Sequence, residues 1–395
     1  MITGRDILYI SSIEWDFLWQ AHQEIARRLA AAGNRVLYIE NTGVRTPGLR
    51  DTRRVAARLG RWTRSLKSGG ARQVAPNIFV YSPLVLPPFG STWRRLMNRH
   101  VFLRQLRGIT RAMQMSDALL WTYLPTDTAV DIIRAHRTDR SLVVYYNTAD
   151  FSYLTPNSKQ LQQSEQELVR MSDLIFATCC QLAGRFSSDN HNVHIFPPGV
   201  DMSAFPDQSA ATGDLPDRLN LSSLPRPIIG YVGGLHRFVD YDLVAGMARA
   251  RPSWSWVFLG AHQVSLEKLQ GLPNVHLLGQ QPHAELVEHM CFFDVCIVPY
   301  LNTSETSTVV PTKINEYLAA GKAIVATSLP TVCEFNQQHH VLTTTSAATQ
   351  EFLRAIESEI PTAHDPRLRE KRRKVAALAD WQDRLEEMSG FIGGK

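Results

Sequence analysis

Residues 304–332 read SETSTVVPTKINEYLAAGKAIVATSLPTV, and two charges in this stretch are spaced for shared work. Lys313 and Glu316 are three apart, so a helix puts both on one face near its N-terminus. Pro311 suits the first turn of that helix and Gly321 its end. A glutamate there can accept two hydrogen bonds from a ribose diol. A lysine one turn earlier, beside free backbone N–H groups, can hold a diphosphate. The hydroxyl-rich run before them, which includes Ser307 and Thr308, can line a polar ligand. A solvated Lys–Glu pair on a surface helix explains the same spacing, so spacing alone leaves both readings open.

A second candidate is GYVGG, residues 230–234, directly after an apolar run. Gly233 and Gly234 would let backbone N–H groups approach a phosphate. The pattern is neither G-x-G-x-x-G nor a Walker loop, and a tight turn accounts for it equally. The 13 histidines are scattered and no HExxH or DxD signature is present, so no metal site is expected. Five cysteines, Cys179, Cys180, Cys291, Cys296 and Cys333, form no metal-ligand or disulfide framework, which points to a reducing cytosol.

Charge divides the chain. Residues 1–205 carry 25 basic and 16 acidic side chains, residues 206–395 carry 17 and 21, and residues 45–111 hold 15 Lys/Arg against Asp51 alone. Within 50–67, Val55, Leu59, Trp62 and Leu66 fall on one helical face, while Arg54, Arg58 and Arg61 lie among the arginines opposite. That is the pattern of a basic amphipathic helix on an anionic membrane surface. A second basic helix is expected over Trp93–Arg111. Nucleic acid fits the charge, but no recognition motif accompanies it, and it is not expected as a partner. No apolar run reaches the length of a membrane span, and the polar start does not read as a signal peptide.

The elements that must position these residues follow a β/α rhythm. Strands are expected at 6–12, 34–41, 77–82, 118–123, 142–146, 174–178 and 193–196. After a turn-rich 207–227 stretch they resume at 227–234, 254–261, 274–280, 293–300, 323–328 and 340–345. Alternation of this kind gives α/β domains with mostly parallel, doubly wound sheets, here one over 1–205 and one over 206–395. Ligands in such sheets sit outside the carboxyl ends of the strands, so a central cleft between two facing domains is the expected site.

The segment EYLAAGKAIVAT, with PPGVDMSAF at 197–205 and LPNVHLLGQQPHAELVEHMCFFDVCIVPY at 272–300, resembles the GT-B glycosyltransferases of the group 1/family 4 class. MSDLIFATCCQLAGRF at 171–186 resembles the same class. ALLWTYLP and YYNTADF are most similar to its surface-polysaccharide, teichuronic-acid-type branch. The resemblance implies two Rossmann-like domains, a nucleoside-diphosphate-sugar donor as substrate rather than a cofactor, and no metal. It also implies a last helix, about 378–393, that crosses back to the first domain.

Carried over by position, the ribose-binding glutamate falls on Glu316. The glutamate that touches the donor sugar in many members is replaced by Thr308. Gly234 and Val239 stand where the family's diphosphate-clamping Arg and Lys would be, and Arg237 with Lys313 are the available replacements. On the acceptor side the resemblance points to Glu14, Trp15 and Asp16 after the first strand, Tyr123 after another, and Asp150 after YYNTA. Asp150 or Asp16 is the candidate general base if the reaction inverts. Trp19 reads as core. The expected partners are a donor nucleotide sugar, a glycan or lipid-linked acceptor, and an anionic membrane surface reached through Arg54, Arg58, Arg61 and Trp62 from the cytoplasmic side. An epimerase or hydrolase on the same fold, and a non-catalytic nucleotide-sugar-binding subunit, are the alternatives.

Overall fold

The structure is a computed structural model and describes residues 1–40, 70–83, 92–154, 158–205, 216–282 and 285–394. The membrane-contact candidates Arg54, Arg58, Arg61 and Trp62 lie outside the described residues. The chain divides into two units, Met1–Pro197 with Arg384–Lys395, and Pro198–Asp383. The described part of the turn-rich 207–227 stretch belongs to the second.

In the first unit the order is β1 (Asp6–Ile10), α1 (Ala21–Ala31), β2 (Arg35–Ile39), β3 (Arg72–Ala75), β4 (Ile78–Tyr81), α2 (Thr92–Ala112) and β5 (Leu119–Thr122). It continues with α3 (Asp127–His136), β6 (Val143–Asn147), α4 (Ser158–Met171), β7 (Leu174–Ala177), α5 (Cys180–Gly184) and β8 (Val193–Ile195). The sheet order is β3-β4-β2-β1-β5-β6-β7-β8, parallel except for the β3–β4 pair. Central strands such as LLWT and VVYYN are buried at every position, as a sheet covered on both faces requires. Tyr9 stands in register with Tyr38 on one side and Trp121 on the other, and the three rings stack at 5.4 and 6.0 Å.

The antiparallel edge strand β3 was not expected from the sequence. Its signal is the Pro76-Asn77 turn: Asn77 takes φ 61°, a left-handed conformation that asparagine tolerates, and closes a tight hairpin onto β4.

The second unit runs β9 (Ile228–Val232), α6 (Tyr241–Ala250), β10 (Ser255–Leu259), β11 (Val275–Leu277), α7 (Leu286–Met290), β12 (Val295–Val298) and α8 (Lys313–Ala319). It ends with β13 (Ala323–Thr327), α9 (Pro330–His339), β14 (Thr343–Thr345), α10 (Thr349–Glu359), α11 (Pro366–Ala377) and α12 (Trp381–Gly393), whose last residues group with the first unit. Its parallel sheet has the order β11-β10-β9-β12-β13-β14. The chain therefore reverses direction across the sheet between β9 and β12. Such sheets bind ligands in the crevice outside the carboxyl ends of the strands at this switch point. Here the loop after β9 returns to pair with the start of the loop after β12, Val239 against Tyr300.

Candidate functional site

Both sequence candidates of the second unit lie at that crevice. Gly233 and Gly234 follow β9. The loop from Tyr300 to Thr312, then α8, follow β12. Gly233 has φ +131°, which disfavours any side chain, and a Cβ there would lie 3.0 Å from Lys313 Cε and 3.4 Å from its Nζ. The glycine thus keeps the space above the lysine open.

Lys313 is 7% exposed. Its ammonium donates to the Tyr300 hydroxyl and lies 5.1 and 4.9 Å from the ring centres of Tyr231 and Tyr300. Among the described residues no carboxylate pairs with it. A buried cation with only a phenol and two ring faces is incompletely compensated, and an anion is the partner that would complete it.

The neighbouring hydrogen bonds sharpen this. The backbone N–H of Phe238 donates to His236 Nδ1 at 3.2 Å, so Nδ1 carries no proton. Burial first, then the charges of Lys313 and Arg237, push the His236 pKa down to about 3, so the ring is neutral. Its proton is therefore on Nε2, which donates to the Tyr300 hydroxyl at 3.1 Å. The Tyr300 hydroxyl thus accepts from both Lys313 and His236, and it is also hydrogen-bonded to the Tyr231 side chain. The Gly233 N–H is already given to Leu259 O at 2.8 Å, so the positive character here comes from the Lys313 ammonium, which no carboxylate opposes among the described residues. Chemically this is an anion site.

Arg237 is more exposed and pairs with Glu305, which reaches across from the loop after β12. It also lies over the Phe238 ring at 5.0 Å. In the same loop Thr306 is fully buried and accepts the N–H of Thr303, while Ser307 donates to Ser304 O at 2.7 Å, which fixes the loop's curl. Thr308 and Glu316 are half-buried, one in this loop and the other on α8 behind Lys313. Tyr231, His236, Tyr300 and Glu305 were missed in the sequence. Only the position of Tyr300 at the end of an apolar run, and of Glu305 within the hydroxyl-rich loop, could have flagged them.

In the first unit the candidates follow strand ends, but they differ in availability. Asp16 is exposed and pairs with Arg72 of β3. Trp15 is half-buried, its ring edge-on to Tyr38 at 5.2 Å and its backbone N–H donating to the Glu40 carboxylate at 2.9 Å, and Glu14 precedes it in the chain. Asp150 accepts from the Ser152 N–H and hydroxyl and pairs with Arg185 at 3.0 Å. Burial pushes its pKa up, but the Ser152 hydrogen bonds and Arg185 outweigh that and hold it below the usual carboxylate value. Such a carboxylate positions better than it abstracts protons.

Two expectations require correction. Tyr123 is wholly buried, its hydroxyl 2.6 Å from that of Tyr9 and its ring 3.8 Å from His22, so it is a core residue and offers no surface to an acceptor. Trp19, expected in the core, is 39% exposed because its indole N–H reaches back to Glu24.

The class follows from this architecture and from residues 226–360, which match the family Glycosyl transferases group 1: the chain has the GT-B fold and carries a group 1 glycosyltransferase domain. Over 245 residues it is 25% identical to the putative teichuronic acid biosynthesis glycosyltransferase TuaH of Bacillus subtilis (strain 168). That match spans 60% of this chain and 60% of that relative. Sucrose-phosphate synthase from Thermosynechococcus elongatus superposes with a TM-score of 0.72 at 16% identity, covering 99% of each chain. Anabaena HepE, solved with UDP and glucose, superposes with a TM-score of 0.68 at 14% identity, over 99% of this chain and 100% of that one. The two superpositions are likenesses of fold. Among the described residues no helix is long and apolar enough to cross a membrane.

Proposed function

We propose that this chain transfers a sugar from a nucleoside-diphosphate-sugar donor to an acceptor hydroxyl on a lipid-linked or polysaccharide precursor, at the cytoplasmic face of a membrane and without a metal or other cofactor. The observation that carries the reading is at the β9/β12 crevice: a buried Lys313 ammonium that no carboxylate pairs with among the described residues, beside the Gly233–Gly234 turn. In the reaction the bond from the anomeric carbon to the β-phosphate oxygen breaks and a bond to the acceptor oxygen forms. The acceptor's proton leaves to the departing diphosphate or to solvent. Lys313 and Arg237 meet the charge that builds on the diphosphate, the effect that most lowers such barriers. Glu316 takes the ribose hydroxyls, and Ser307 and Thr308 line the sugar side.

TuaH's name supports a polysaccharide precursor, and the HepE complex with UDP makes UDP-sugars the first donors to try. The test measures nucleoside diphosphate released from UDP-, GDP- and TDP-sugars, with and without a membrane lipid extract as acceptor. Transfer requires release that depends on the acceptor. Release without it, or an epimerised sugar, identifies a hydrolase or epimerase instead. No release from any donor contradicts the reading.

A further inference from the structure

Among the described residues, the helix α2 buries one side and leaves large apolar side chains exposed on the other. Phe102, Leu103, Leu106 and Ile109 face inward at 1, 7, 0 and 6% exposure. On the outer side Trp93, Leu96, Met97 and Val101 are 61, 54, 38 and 48% exposed. Four large apolar side chains within three turns exceed the singly scattered exposure that needs no explanation. Helical geometry places Trp93, Met97, Arg104 and Arg111 along nearly one line, so the outer face carries its large apolar side chains in its first half, with exposed Arg94 beside them, and is cationic in its second.

The arginines separate by role. Arg95 and Arg99 turn back to Asp131, at 3.1 and 3.8 Å. Arg104, Arg107 and Arg111 are exposed, and no carboxylate pairs with them among the described residues. With Arg99 they line a groove of about 790 Å³ on the same helix.

We infer that the outer face of α2 docks on an anionic lipid bilayer. Trp93, Leu96, Met97 and Val101 enter the interface between headgroups and acyl chains, while Arg104, Arg107 and Arg111 lie against lipid phosphates. Charge complementarity selects this occupant: a surface with apolar depth and a dense layer of phosphates satisfies both halves of the helix at once. Nucleic acid would meet the arginines and leave the apolar half wet. The inference names the surface behind the membrane location in the proposed function, and its test needs no donor, acceptor or turnover.

The experiment is vesicle flotation of the full chain with phosphatidylcholine alone and with phosphatidylcholine containing 30% phosphatidylglycerol (roughly that of a moderately anionic membrane). Binding is expected only to the anionic vesicles and should weaken with salt. Each arginine near an anionic surface multiplies binding about fivefold, so the triple change Arg104→Glu, Arg107→Glu, Arg111→Glu should lower it by about a hundredfold or more. Trp93→Ser with Leu96→Ser and Val101→Ser should lower it about tenfold or more while shifting the melting temperature little, because about half or more of each residue is already in water. Vesicle binding that survives both variants, or that is lost only on reversing Arg54, Arg58 and Arg61, overturns the inference. So does a wild-type chain that ignores anionic vesicles, or one whose apolar face is covered by a second copy in solution, seen as a dimer that the serine variant breaks. Transfer activity can fail without touching these outcomes, and vesicle binding can fail while nucleotide binding persists.

Discussion

Replacing Lys313 with Met has two opposite consequences if the anion site is correctly identified. In the free protein the change removes a buried charge that no carboxylate pairs with among the described residues. The desolvation cost of such an ion is several kcal/mol, and the Tyr300 hydrogen bond and the two ring faces offset much of it. Met keeps the length and packing of the side chain. The variant should therefore be as stable as wild type or up to about 3 kcal/mol more stable, and for a unit of this size the melting temperature should hold or rise by several degrees. Toward a nucleoside diphosphate the sign reverses. One charge–charge contact at about 4 Å is worth about 4 kcal/mol at an effective dielectric of 20, and a charged hydrogen bond about 1.5–3 kcal/mol. A loss of about 2–4 kcal/mol corresponds to a roughly 30- to 1000-fold weaker Kd. The assay pairs calorimetric unfolding of the free variant with titration of UDP, GDP and TDP. Unchanged affinity in a variant that melts like wild type would refute the diphosphate role. A free variant that loses many degrees would show that Lys313 holds the fold together instead.

Other expectations follow from single contacts. Glu316→Ala should weaken nucleotide binding by about 1–3 kcal/mol, read by the same titration, and an equal affinity for the 2′,3′-dideoxynucleotide in wild type would remove its ribose role. Glu305→Gln frees Arg237 for the diphosphate; because that pair is exposed, affinity should rise only about two- to fivefold, and a fall would show that Glu305 itself contacts the donor. Burial pushes the His22 pKa down to about 3. The folded protein therefore takes up this proton less readily than the unfolded chain. The stabilisation is complete above pH 6.5 and falls by about 1.4 kcal/mol per unit as the pH drops from 6.5 toward 3. His22→Gln should flatten the pH dependence of denaturant midpoints by about that slope, and an unchanged slope would place the sensitivity elsewhere.

Much of the scaffold was legible because strands of a covered parallel sheet must be apolar on both faces. Runs such as VVYYN and AIVAT are free of charge and polar only at their last residue, Asn147 and Thr327, and every strand of the second unit falls within an expected strand segment, although β14 itself is three threonines. The strand β3 was not legible: RQVA is short, lies at the edge and is only partly buried, so no hydrophobic pattern marks it. Lys313 and Glu316 were visible as a local pair. Their surroundings were not, since Tyr300, His236 and Glu305 reach the site through contacts that span 13 to 68 positions and exist only once β9 and β12 are neighbours. Tyr123 shows the converse limit. A strand-end position does not say whether a side chain turns outward or, as here, lies in the core against Tyr9 and His22.

The central claim is that the crevice between β9 and β12 binds the diphosphate of a sugar donor. Isothermal titration of the wild-type chain with UDP, GDP and TDP tests it most directly. The account predicts saturable one-to-one binding of at least one of them, lost in Lys313→Met. No binding of any of the three up to millimolar concentration, in a chain that melts cooperatively, would contradict it.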